Sequence, residues 1–209
     1  MEINELSEFQ KTLIADTKDN LIHGICVSNL TYLIAHELGY EEDICYELAI
    51  AGILHDIGKL QLSRYLYGRA EESFQMEGIK YMRMHSKLSY DIIQYYDLSP
   101  FILQSVLYHH ENYDGSGYPE NLKGEDIPFG ARILRVADTF SALISDRPYR
   151  KAFDMDTAIQ IMIDEINFYD MEVFLAFQKV IHTPEMIDSI MDSRSIIDLD
   201  KVTNLFKGE

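Results

Sequence analysis

Glu41-Glu42-Asp43-Ile44-Cys45-Tyr46-Glu47-Leu48-Ala49-Ile50-Ala51-Gly52-Ile53-Leu54-His55-Asp56-Ile57-Gly58 is the stretch whose reading decides the fold class. Ile44, Leu48, Ala51 and Leu54 recur every three to four positions, the spacing of one helix face. Three acids open the segment, where the positive end of a helix dipole favours them. The pattern runs into His55-Asp56 and stops near Gly58, so a helix ends on two side chains able to coordinate an ion.

The same periodicity extends in both directions. Upstream, Leu21, Ile25, Leu30, Leu33 and Ile34 fall on one face up to Gly39, a C-cap residue. Residues 1–18 carry a weaker pattern (Ile3, Leu6, Phe9, Leu13, Ile14) and read as a docking helix or a linker remnant, leaving 19–209 as the main domain. Downstream, 59–72 is irregular, and a helical reach over 73–96 breaks near His85-Ser86. Asp97-Leu98-Ser99-Pro100 stops one helix and starts the next, which ends in His109-His110-Glu111. Residues 112–130 form a long loop with Gly115, Gly117, Pro119, Gly124, Pro128 and Gly130, and a structureless connection of that length is usually functional. Helices are expected again over 131–145, 156–166, 170–182 and 184–192, with a short one over 195–206, and Asp146-Arg147-Pro148-Tyr149 is a turn. No run alternates as a strand does, so the expected fold class is all-α, packed around one core.

Composition narrows the function. The 209 residues are 47% hydrophobic and carry a formal charge of −17, which argues against binding DNA or RNA polymers. A small anion remains compatible, because basic residues concentrate locally: Arg132, Arg135, Arg147, Arg150 and Lys151 stand against only Asp138 and Asp146 between positions 131 and 151. Cys26 and Cys45 form no CxxC pair and read as reduced thiols. Neither an apolar signal stretch nor a run near the roughly 20 apolar residues of a membrane span is present, so a cytoplasmic protein without membrane contact is expected.

Histidine and aspartate cluster at helix ends and on helix faces: His23, His55-Asp56, His85, His109-His110 and Asp138. Five imidazoles and two carboxylates are the donor set of two divalent first-row ions, with a carboxylate able to bridge them. No thiolate belongs to the set, which argues against a structural zinc site.

Taken in order, His55-Asp56-Ile57-Gly58-Lys59, His109-His110-Glu111, Asp114-Gly115-Ser116-Gly117-Tyr118-Pro119, Leu122 to Pro128, Ala131 to Asp138 and Ser145-Asp146-Arg147-Pro148-Tyr149-Arg150 resemble the HD-GYP domain family of the HD superfamily of metal-dependent phosphohydrolases. The resemblance covers about 23–177. It implies a helical bundle with the Gly/Pro-rich loop over a central metal site, and hydrolysis of a cyclic dinucleotide, cyclic di-GMP first, to pGpG or GMP. It implies His23, His55, Asp56, His85, His109, His110 and Asp138 as ligands of two ions, iron or manganese, with Asp56 bridging and Asp19 a candidate for a third. Lys59 would act beside Asp56 in catalysis, while Gly117, Tyr118, Arg147 and Arg150 would bind substrate. A sensor or signalling protein is an expected partner, and a homodimer is left open.

Two departures accompany the match. Many members carry an acid three residues after the position of Asp138, where this chain has Ser141. The segment from Gln61 to Gly68 lacks the Pro-containing pattern usual there. Three alternatives therefore stand beside the main reading: cyclic GMP-AMP as substrate, an HD-type phosphohydrolase of another nucleotide, and a degenerate domain that binds a nucleotide or a protein.

Overall fold

The computed structural model describes residues 8–66, 82–146, 150–183 and 190. Within them the chain is helical, and no strand ladder forms. The order is α1 (Glu8–Glu37), α2 (Glu42–Leu54), α3 (Lys59–Leu66), α4 (His85–Ile93), α5 (Pro100–Tyr108), α6 (Phe129–Leu143), α7 (Met155–Asp164) and α8 (Met171–Ile181). Short 3₁₀ turns lie at Gly124–Asp126 and Ile166–Phe168.

Helix α1 is longer than the sequence pattern suggests. It continues unbroken through position 18, so the expected boundary between a docking helix and the main domain falls inside one helix. Leu21, assigned above to the inward face, is 54% exposed, whereas Ile25, Leu30 and Ile34 are buried. Gly39 then takes a positive φ of 80°, and the Gly39 and Tyr40 amides close on the carbonyls of His36 and Ala35. The irregular stretch expected from 59 is also corrected: Lys59–Leu66 is helical, since most of this two-turn segment is good helix formers (Lys59, Leu60, Gln61, Leu62, Arg64, Leu66). Residue 190 is helical; the other residues of the helices expected over 184–192 and 195–206 lie outside the described residues.

The core gathers around α6. Ile133, Leu134, Val136, Ala137 and Phe140 are buried, and Phe140 meets Phe177 of α8 edge-on at 4.9 Å. Burial of each such ring contributes roughly 1.5–3 kcal/mol. Helix α1 packs on α2, α6 and α8, while α5 packs on α2, α4 and α6. Ser99 caps α5 by accepting from the Ile102 amide at 3.2 Å, with Pro100 in the first turn. That cap fixes where α5 starts and hence which residues stand at its far end, His109 and His110.

Candidate metal centre

Five elements deliver the histidines and aspartates to one place. His23 comes from within α1, His55 and Asp56 follow α2, His85 opens α4, His109 and His110 follow α5, and Asp138 sits inside α6. Their donor atoms form three linked groups, each with all atoms within 4.8 Å: His23/His55/Asp138, His55/Asp56/His109 and His85/His109/His110. His110 is partly buried; the other six are buried. Close packing of α2's end on α4 makes this convergence. A Cβ on Gly58 would lie 2.6 Å from the Ser89 nitrogen and 2.9 Å from Leu88 Cβ, so only glycine fits between the two elements.

Hydrogen bonds fix which nitrogen of each ring faces inward. His55 Nδ1 donates to the Gly52 carbonyl and His109 Nδ1 to the Val106 carbonyl, both at 2.7 Å, and His85 Nδ1 donates to Met82. Each partner lies three residues earlier in the chain. In the neutral form of these three rings Nε2 is therefore left as a lone pair. Yet His85 Nε2 lies 3.2 Å from His109 Nε2, and His55 Nε2 lies 3.2 Å from Asp56 Oδ2 and 3.7 Å from Asp138 Oδ1. Acceptors facing acceptors at that range repel unless a cation or proton stands among them. His55 Nε2 and Asp56 Oδ1 are, moreover, buried without a hydrogen-bond partner. The residues fit divalent ions, both in donor chemistry and in these orphaned atoms.

His23 is held differently. Its Nδ1 lies 3.0 Å from Ser141 Oγ, a side chain 118 residues away, and its Nε2 lies 3.0 Å from Asp138 Oδ1. Ser141, the position where many HD-GYP members carry an acid, thus orients His23.

Without an ion the cluster holds a proton on His55: burial lowers its pKa, but Asp56 and Asp138 outweigh burial and raise it to about 10. Burial pushes Asp56 up, but the charges of His55 and Lys59 hold it well below the usual carboxylate range. Burial likewise opposes ionisation of Asp138, and the hydrogen bond from His23 together with the nearby His55 overcomes it. Burial drives His109 down to about 3, helped by His55 and His85. Burial and His109 hold His110 well below its ordinary value. Both rings are neutral near pH 7, the state in which imidazole coordinates.

The other predicted residues divide. Lys59 Nζ pairs with Asp56 Oδ2 at 2.5 Å. Tyr118 stacks on His110 with centroids 4.7 Å apart, and burial raises its pKa, which keeps the phenol protonated. Gly117 is buried where a Cβ would stand 2.5 Å from Glu111 Cα, so the loop lies flush against the end of α5. Arg150, expected to offer its guanidinium to substrate, is engaged by the main chain in this structure. Nη1 donates to the carbonyls of Leu143 and Lys151 and Nη2 to that of Ala142, which ties it to the C-terminal end of α6. Arg147 lies outside the described residues. Asp19 is exposed and belongs to none of the described ligand groups.

Three residues near the centre had no role in the sequence reading. Glu111 is buried and accepts from the Glu120 amide at 2.7 Å, anchoring the loop. Arg135 donates to Asn112 Oδ1 and Thr139 Oγ1. Arg83 lies 5.4 Å from the centroid of the Tyr118 ring. Glu111 could have been singled out from its place directly after the His pair; nothing in the sequence distinguishes the other two. No helix among the described residues is long and apolar enough to cross a membrane.

Comparison with known proteins places this geometry. The HD domain family model matches residues 8–173. The chain is 36% identical over 138 residues to the cyclic di-GMP phosphodiesterase response regulator RpfG of Xanthomonas campestris, covering 64% of this chain and 35% of that protein. It is 33% identical over 180 residues to 3'3'-cGAMP-specific phosphodiesterase 3 of Vibrio cholerae, covering 85% of this chain and 38% of the relative. The chain therefore spans well under half the length of these relatives. Among solved structures, a cyclic GMP-AMP specific phosphodiesterase of V. cholerae (V-cGAP3) superposes with a TM-score of 0.63 at 18% identity, over 88% of this chain and 48% of that one. An HDG"Y"P protein of Bdellovibrio bacteriovorus gives 0.60 at 20% identity, over 78% and 53%. The fold, the linked His/Asp groups and the family match converge, and the chain belongs to the HD-domain family.

Proposed function

We propose that this chain is a metal-dependent phosphodiesterase that opens a cyclic dinucleotide. The observation that carries the reading is the set of buried, mutually facing imidazole and carboxylate acceptors, His55, Asp56, His85, His109 and Asp138, which needs cationic charge among them. Divalent ions bound there supply Lewis acidity toward a phosphoryl oxygen and lower the pKa of water. Two ions, iron or manganese, would be held by His23, His55 and Asp138 on one side and by His85, His109 and His110 on the other, with Asp56 between them.

The side chains do the rest. Asp56, kept ionised by its neighbours, draws Lys59 to the rim of the cluster. There the ammonium can share its donors with a phosphate oxygen as charge builds on it. Tyr118, a neutral phenol on the face of His110, offers a stacking surface and a hydroxyl donor. Glu111 and Gly117 hold its loop close to the end of α5, which limits water access on that side.

Cyclic di-GMP and cyclic GMP-AMP are both carried by this reading, because relatives of both kinds match. Alignments of similar length reach both kinds of relative, 180 residues for a cyclic GMP-AMP enzyme and 187 for a cyclic di-GMP enzyme, so both substrates are included. A linear dinucleotide or GMP is the expected product. The test is turnover of both cyclic dinucleotides by protein reconstituted with iron or manganese, beside bis(p-nitrophenyl) phosphate. Hydrolysis that requires metal and prefers a cyclic dinucleotide is expected. Turnover of the generic diester alone, or metal binding with no turnover, would replace the reading with another phosphohydrolase or with a binding module.

A further inference from the structure

Four arginines have described side chains, and three are engaged. Arg132 donates to Asp170 and the Ile127 carbonyl, Arg135 to Asn112 and Thr139, and Arg150 to three carbonyls. Arg83 differs. It is exposed, its guanidinium carbon lies 5.4 Å from the centroid of the Tyr118 ring, and no described acceptor takes its N–H groups. Contact with an aromatic ring restrains a guanidinium and leaves its edge donors available.

The position of Arg83 is set by the centre itself. It occupies the turn between Met82, whose carbonyl holds His85 Nδ1, and His85. Tyr118, over which it lies, stacks in turn on His110. Arg83 is thus tied to two ligand histidines from opposite sides, once through the backbone and once through a ring. Lys59, the cation next to the HD pair, is paired with Asp56. In a chain of formal charge −17, an anionic ligand approaching these histidines meets few cationic donors among the described residues that are not already engaged.

We propose that Arg83 is a phosphate-binding residue beside the metal-ligand cluster, preorganised by Tyr118, and that its ligand is the phosphate of a purine nucleotide distant from the scissile bond. The inference rests on the cyclic-dinucleotide reading for the ligand's class, and its test does not depend on turnover. It supplies a second-phosphate contact that Arg150, held by the carbonyls of α6, does not make in this structure. A fork of donors on an aromatic shelf suits two phosphate oxygens, and a lysine in its place offers only a point charge.

The test is calorimetric titration of GMP and of guanosine into the metal-reconstituted protein, its Arg83→Ala variant and its Arg83→Lys variant. GMP should bind the wild type, bind Arg83→Ala at least 10-fold more weakly, and bind Arg83→Lys with an intermediate loss. Guanosine, which lacks the phosphate, should bind all three alike. Equal GMP affinity in all three proteins, equal losses for GMP and guanosine, or no GMP binding to the wild type overturns the assignment. The ratio of kcat/KM for cyclic di-GMP to that for bis(p-nitrophenyl) phosphate should also fall at least 10-fold in Arg83→Ala. A wild type that hydrolyses no cyclic dinucleotide yet shows Arg83-dependent GMP binding would sink the proposed activity and leave the phosphate site standing.

Discussion

His85 Nε2 and His109 Nε2 face each other at 3.2 Å, lone pair toward lone pair, because both rings donate their Nδ1 protons to main-chain carbonyls. Two neutral acceptors in that arrangement repel unless a cation or proton stands among them. The groups on either side of Asp56 should therefore lose metal separately. His23→Ala and His109→Ala are each expected to lower metal content by about one equivalent, measured by plasma mass spectrometry. Asp56→Ala should remove at least half of the metal and abolish diester hydrolysis. Full occupancy in Asp56→Ala would place the bridge elsewhere.

Ser141 is the partner of His23 Nδ1, and it is neutral. Removing such an outer partner weakens metal binding by about 10–100-fold. Ser141→Ala should therefore lower affinity for one ion by about that factor and leave the other unchanged, as read by competition with a chelator of known strength. Ser141→Asp places a carboxylate against the imidazole and should raise affinity for the same ion. If Ser141→Ala affects both ions equally, the serine supports packing of α1 on α6 instead.

Glu111 anchors the loop that carries Tyr118. Glu111→Ala leaves the Glu120 amide without this acceptor, at a cost of about 1–3 kcal/mol. KM for a cyclic dinucleotide should rise roughly 10-fold while metal content holds. Glu111→Gln keeps one acceptor oxygen and should recover most of the loss. A fall in metal content in Glu111→Ala would show that the glutamate acts on the histidines directly.

Much of this was legible in the sequence, and the limits have physical causes. His23, His55, Asp56, His85, His109, His110 and Asp138 could be picked out because ligands of these types in this order recur with a recognisable spacing, and the structure brings them together. Helices α2, α6 and α8 could be read because each buries a continuous face with the helical period. Helix α3 could not, since Lys59–Leu66 is only two turns long, too short for its apolar residues to establish a helical period. The direction of a charged side chain is not encoded in local pattern at all. Arg150 looked like a phosphate ligand because cations concentrate near it, yet it binds carbonyls, while Arg83 drew no attention and lies over Tyr118.

Gly58 offers a fourth test. Alanine there would collide with the Ser89 nitrogen and Leu88 Cβ, pushing α4 and His85 away from Asp56. Gly58→Ala should destabilise the metal-free protein by about 1–3 kcal/mol, as overpacking does, and should also reduce metal content. Thermal melts with and without a chelator separate the two effects. An unchanged melting temperature without metal would mean that α4 is free to shift.

The contact between His23 and Asp138, 3.0 Å across 115 positions of chain, has a mechanical meaning as well. An ion ligated by both residues closes a loop of that size as a covalent staple would, in a protein whose two cysteines are both free thiols. For a permanent crosslink around a ring of about 100 residues, chain entropy alone corresponds to about 4.7 kcal/mol. Here the clasp opens when the ion leaves, so the supply of metal would govern how readily α1 peels from α6 and becomes a substrate for proteases.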